Sequence, residues 1–134
     1  SSIDAGVSLD GTVVEYDSHY GVAKFRVRGG IFNVPSVSIE IGSKRRLKIY
    51  ARDVSLTWES MNKSSIENHM PVRVIEMQEK DPFQVTAILR LGLDGEGEQI
   101  LARITRRSWE TLGLSINTSL YAQIKAVSLV RSRG

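Results

Sequence analysis

The chain repeats itself, and a repeat of this length sets the terms on which it can fold. Gly11-Thr12-Val13-Val14-Glu15 opens one half and Val72-Arg73-Val74-Ile75-Glu76 opens the other. The halves close on Leu47-Lys48-Ile49-Tyr50-Ala51-Arg52-Asp53-Val54-Ser55-Leu56 and on Leu120-Tyr121-Ala122-Gln123-Ile124-Lys125-Ala126-Val127-Ser128-Leu129. A unit of roughly sixty to seventy residues, used twice, is too small to bury a generous core alone and is expected to lean on its twin. The interface between the copies is then the natural place for a ligand.

Within each copy, apolar and polar residues alternate with the two-residue period of half-buried strands. Val22, Lys24, Arg26 and Arg28 interleave with Ala23, Phe25 and Val27; Gly29-Gly30 ahead of Ile31-Phe32-Asn33-Val34 signals a hairpin, and Pro35 ends that strand. Leu47, Ile49 and Ala51 face one way, Lys48, Tyr50 and Arg52 the other, so the first copy closes on an amphipathic strand. The second copy repeats the plan, with strands predicted over 72–77, 83–91, 99–104 and 119–130 and a turn at Asp94-Gly95-Glu96-Gly97. Between its last two strands lies a helical segment with Thr105 as N-cap, Trp109 and Leu112 on one face as core residues, and Gly113 as the stop. Four or five short strands per copy and one small helix predict an all-β chain with a short helix, folded as two tandem small barrels of the oligonucleotide/oligosaccharide-binding (OB-like) type. The expected modules are 1–57 and 65–134, joined by a polar linker at 58–64.

Several chemistries are excluded by what the sequence lacks. With no cysteine, disulfides and thiolate metal sites cannot form, and His19 and His69 stand far apart without ligand spacing, so no metal site is expected. No GxxxxGK[ST] loop occurs; the segment 92–97 does not replace it, because Asp94 and Glu96 would repel phosphate and no Lys-Ser/Thr follows. No GxSxG setting surrounds any serine, and no catalytic residue is assigned. Asp17 and His19 share a stretch where such residues serve turns. No apolar run is long enough for a membrane span, and the opening Ser1-Ser2-Ile3-Asp4 lacks both an initiator Met and a signal pattern, so a piece of a longer chain is expected. The net charge of +3 arises from 18 Lys and Arg against 15 Asp and Glu. Small basic groups stand at Lys44-Arg45-Arg46, at Arg103 with Arg106-Arg107, and at Arg131 with Arg133; they suit anionic partners without selecting one.

Ser64-Ser65-Ile66-Glu67-Asn68 ahead of an apolar strand, followed by Thr105-Arg106-Arg107-Ser108-Trp109, Leu112-Gly113-Leu114 and Lys125-Ala126-Val127-Ser128, resembles in order and spacing the molybdate-binding Mop or molbindin module, also called TOBE. Two such copies in tandem resemble the C-terminal regulatory region of the ATPase subunit of a molybdate ABC importer. The resemblance implies a non-catalytic domain that binds molybdate or tungstate as ligand and needs no cofactor. Its ligand-binding residues would be Ser65, Ile66, Glu67, Asn68, Thr105, Lys125, Ala126, Val127 and Ser128. A tetrahedral dianion needs several donors and at least one cation. Hydroxyls of Ser65, Thr105 and Ser128, the Lys125 ammonium and the N–H groups of Ile66, Ala126 and Val127 would supply them.

Two departures from the family pattern stand out. Glu67 occupies the place where several members carry Arg, and a carboxylate facing a dianion is repulsive. In the first copy Asp4-Ala5-Gly6-Val7 replaces the Ser-x-x-Asn motif, and Arg52 is the only basic counterpart of Lys125, so two equivalent sites are not expected. The resemblance further implies a homodimer, a cytoplasmic location peripheral to the inner membrane through the parent transporter, and membrane transporter subunits as partners. Two other roles fit the same modules: a ligand-free dimerisation unit of that ATPase, or the effector domain of a molybdate-responsive gene regulator. Nucleic acid is not an expected partner, because the interleaved exposed aromatics of single-strand binders are missing.

Overall fold

A computed structural model describes residues 5–60 and 63–130. Asp4 of the first-copy motif, Asn62 of the linker, and Arg131 and Arg133 lie outside the described residues. The first repeat gives β1 (Gly6–Asp17), β2 (Val22–Val27), β3 (Gly30–Pro35), β4 (Lys44–Tyr50), a 3-10 turn (Ala51–Asp53) and β5 (Val54–Thr57). The second gives β6 (Asn68–Asp81), β7 (Gln84–Leu91), β8 (Gln99–Thr105), α1 (Arg106–Thr111), β9 (Ser119–Ile124) and β10 (Ser128–Leu129). The fold class is as the sequence predicts: all-β with one short helix, in two curled five-stranded sheets.

The repeat is visible in detail. Both long first strands are antiparallel to their hairpin partners and carry a bulge at the same place, between Val13 and Glu15 in β1 and between Val74 and Glu76 in β6. Both end on an aspartate whose Oδ1 accepts two turn N–H groups: Asp17 from His19 and Tyr20, Asp81 from Phe83 and Gln84. Asp17 and His19 therefore serve the turn.

The closing strands depart from expectation. The sequence reads 119–130 as one strand, but pairing stops after Ile124, and Lys125, Ala126 and Val127 carry the chain across to the other sheet. The sheet orders are β10-β4-β1-β2-β3 and β5-β9-β6-β7-β8. Each repeat thus builds four strands of its own sheet and lends its fifth to the other: β5 pairs with β9, and β10 with β4. Alternation could not reveal this, because the period of two continues through both strands whichever sheet they enter.

Exchange and packing leave one core. Phe25, Phe32, Leu47 and Ile49 of the first sheet and Leu89, Leu91, Ile100, Leu120 and Ile124 of the second are fully buried in a single cluster. At the junction, the Glu98 N–H donates to the Arg28 carbonyl at 2.8 Å. The backbones come so close here that a Cβ on Gly97 would lie 2.6 Å from the Leu91 oxygen and 2.8 Å from the Arg28 oxygen; glycine alone fits.

The helix forms where predicted, with Thr105 Oγ1 accepting from the Ser108 N–H at 3.0 Å and Gly113 at φ +65 beyond its end. Trp109 and Leu112, expected in the core, are only half-buried: α1 lies on the flank and packs against the cluster, while the buried position falls to Leu114. Trp58, just beyond β5, donates its indole N–H to the Leu112 carbonyl at 2.9 Å and so ties the first repeat to the end of this helix.

Candidate functional site

The opening of β6 is fixed by a side chain acting as backbone. Asn68 is buried, its Oδ1 accepts from the Asn33 N–H at 2.7 Å, and its Nδ2 donates to the Asn33 carbonyl at 2.9 Å. The amide thus completes both main-chain hydrogen bonds of one residue on edge strand β3 and joins the two repeats there. His69 bonds the Ile66 carbonyl at 2.8 Å, and Ser64 Oγ accepts from the Ile66 N–H at 3.0 Å, which shapes the turn before the strand.

A cleft of about 400 Å³ opens beside this junction, with one wall from each repeat. Tyr20, Val22, Asn33 and Pro35 come from the first, and Ser65, Glu67, Asn68 and Ile124 to Val127 from the second. The crossover 125–127 forms its rim: the Lys125 N–H is used by the Asp53 carbonyl at 2.8 Å, whereas those of Ala126 and Val127 have no acceptor among the described residues. Lys125 and Glu67 are exposed and both line the cleft, so it offers one ammonium, two unused N–H groups and the Ser65 hydroxyl against one carboxylate. A smaller hollow of about 200 Å³ adjoins, sharing Tyr20, Val22, Asn33 and Glu67 and adding Glu15, Asp17 and Lys24. Lys24 Nζ donates to Asn33 Oδ1 at 3.0 Å.

Of the residues expected at a site, Ser65, Glu67, Asn68, Lys125, Ala126 and Val127 share this cleft. Ile66 stands beside it with its N–H already committed to Ser64, and Ser128 belongs to β10, opposite Lys48 in the first sheet. Thr105 is remote. It ends β8 across from Gln84, which pairs with Asp81 at the far end of β6 from Asn68, and its hydroxyl is engaged as a helix cap. The first-repeat wall was not singled out from sequence. Its one legible signal was Asn33, a polar residue inside the apolar run Ile31-Phe32-Asn33-Val34; Tyr20 is aimed by the Asp17 turn.

The other repeat lacks this arrangement. Aligning the two bulges places Val7 at the position of Asn68, and since Val7 pairs with Ile49 as Asn68 pairs with Ile124, Tyr50 takes the position of Lys125. Arg52, expected as the basic counterpart, instead stacks on the Tyr50 ring with its guanidinium 4.4 Å from the centroid. Among the described residues no group of three or more His, Cys, Asp or Glu could hold a metal, and no helix is long and apolar enough to cross a membrane.

Two half-barrels that exchange their closing strands around a cleft between repeats define a tandem OB-like domain. A family model described as the TOBE domain matches residues 64–130. The chain is 44% identical over 133 residues to the molybdenum import ATP-binding protein ModC 2 of Bradyrhizobium diazoefficiens, covering 99% of this chain and 15% of that protein. It is 43% identical over 131 residues to the ModC protein of Rhodopseudomonas palustris, covering 98% and 35%. The chain therefore spans only 15–35% of the length of these curated relatives. The cytoplasmic molybdate-binding protein ModG, crystallised with molybdate bound, shares the fold with a TM-score of 0.70 at 22% identity, over 92% of this chain and 94% of that one. The chain belongs to the TOBE domain family.

Proposed function

We propose that this chain is the oxyanion-sensing regulatory domain of the ATPase subunit of a molybdate importer, and that it binds molybdate or tungstate without catalysing a reaction. The observation that carries the reading is the cleft itself: Lys125, Ala126 and Val127 line a space walled by both repeats, and the N–H groups of Ala126 and Val127 have no acceptor among the described residues. A tetrahedral dianion accepts from such a set, and Ser65 adds a hydroxyl. The relatives support the same ligand, since ModC proteins are molybdenum import ATP-binding proteins and match nearly the whole chain. In this reading the modules 1–57 and 65–134, with 58–64 between them, act as one unit in a homodimeric, cytoplasmic ATPase held at the inner membrane by its transporter subunits. A ligand regulates only through unequal affinity for two states. Ligand on the crossover 125–127 would favour whichever arrangement of the two sheets tightens that cleft, and so couple cytosolic oxyanion to a resting transporter.

Calorimetric titration with molybdate tests this. Saturable binding should be seen, and Lys125→Ala should weaken it about tenfold to a hundredfold by removing a charge-assisted bond of roughly 1.5–3 kcal/mol. Glu67→Arg should strengthen it, exchanging repulsion for attraction in the same cleft. The carboxylate of Glu67 also favours a second reading, in which the domain only joins ATPase subunits. That reading prevails if the wild-type chain gives neither heat nor thermal shift at about millimolar molybdate.

A further inference from the structure

The outer face of the first sheet carries charge that the cleft does not use. Leu9, Gly11 and Val13, Phe25 and Val27, and Leu47 and Ile49 point inward, which turns Ser8, Asp10 and Thr12, Arg26, and Lys44, Arg46 and Lys48 to the other side. The register aligns them in rows: Arg26, Thr12 and Lys44 across three strands, then Asp10 with Arg46, then Ser8 with Lys48 and Ser128. Arg28 continues the β2 series at the hairpin turn and is exposed. With Lys24, whose Nζ is held by Asn33 Oδ1, six cations therefore share one face. The carboxylates at outward positions of these strands among the described residues are Asp10, in an exposed contact of 3.6 Å with Arg46, and Glu15 and Asp17 past the bulge. Arg26, Arg28 and Lys44 have no carboxylate partner among the described residues. A hollow of about 410 Å³ along the β1–β4 pair is lined by Asp10, Gly11, Thr12, Lys44, Arg45 and Arg46.

We propose that this face is a docking surface for an acidic, extended protein segment. Cations on alternate residues of β4 stand about 6.8 Å apart, and neighbouring strands about 4.8 Å apart, which matches carboxylates on alternate residues of an extended chain. Two features favour protein over nucleic acid. The aromatic on this face, Tyr50, lies under Lys48 Nζ at 5.4 Å and the Arg52 guanidinium at 4.4 Å, so its ring is no stacking platform. Half-exposed Ile31 opposite Arg26, and Ile41, 70% exposed just before Lys44, give the rim apolar contacts that a phosphodiester backbone would not fill.

The test uses the whole chain and a fluorescein-labelled peptide of alternating Glu and Val, read by anisotropy. Saturable binding should weaken at least fivefold when ionic strength rises from about 0.05 to about 0.3 M, since exposed pairs are screened over that range. Reversal of Lys44, Arg46 and Lys48 to Glu should weaken it about tenfold or more while the molybdate isotherm stays unchanged. Arg26→Glu with Arg28→Glu, on a different strand, should act in the same direction and guards against a fold lost in the first variant. Absence of peptide binding by the wild-type chain, undiminished binding by both folded variants, or tighter binding of a mixed-sequence single-stranded oligonucleotide than of the peptide would each overturn the proposal.

Discussion

At the scale of the residue, Asn68 and Lys125 divide the work of one motif. Asn68 spends its amide on both main-chain groups of Asn33, so its place in the motif is explained by joining two repeats. Lys125, exposed at the crossover, has no such duty. Substitution separates the roles. Asn68→Ala strands the Asn33 N–H and carbonyl in a part-buried setting and should destabilise the fold by about 1–3 kcal/mol, measured by urea denaturation. Lys125→Ala should leave the urea midpoint in place, because a solvated lysine contributes little to stability. An Asn68→Ala chain as stable as wild type would show that water replaces both lost bonds.

At the scale of the element, Thr105 has an observed duty that is separate from the cleft. The order Thr105-Arg106-Arg107-Ser108 matched the family pattern, yet the hydroxyl caps α1 at the end of the second sheet remote from Asn68. Thr105→Ala should therefore cost about 1 kcal/mol of stability and leave the molybdate isotherm where it was; weakened molybdate binding at unchanged stability would return Thr105 to the site. What was legible in the sequence follows the same division. Alternation, the Gly29 turn, the N-cap and Gly113 are local, so strands, hairpin and helix could be read directly. The crossovers Ala51–Asp53 and 125–127 were hidden, because which sheet a strand joins depends on partners far along the chain. For the cleft, Ser65, Glu67, Asn68 and Lys125 to Val127 lie in two short contiguous segments, and the family resemblance pointed to both. The wall of Tyr20, Val22, Asn33 and Pro35 could not be read, because its contribution exists only once β3 meets β6. The half-burial of Trp109 has a related cause: helical spacing tells which residues share a face, not how much sheet that face will find.

At the scale of the whole molecule, the exchange of β5 and β10 makes each repeat incomplete without the other. Strand β9 is lined on its outer edge by a strand from the first repeat, and β4 by one from the second, while the buried residues of both sheets form one cluster. A polypeptide of residues 65–134 would leave β9 unpaired on that side and its apolar inner face uncovered, a combination that invites pairing with another copy. Its own closing strand offers a remedy, since Ser128-Leu129 matches Ser55-Leu56 and could lie along β9 of a second molecule. The half-chain should accordingly sediment as a dimer at about 50 µM and dissociate and unfold together on dilution, so that its thermal midpoint rises with concentration. The full chain satisfies the same exchange internally, and its midpoint should not depend on association for folding. A half-chain that stays folded and monomeric would mean that four strands and α1 bury enough apolar surface alone. The cleft between repeats would then be a contact between two independent domains and not part of a shared core.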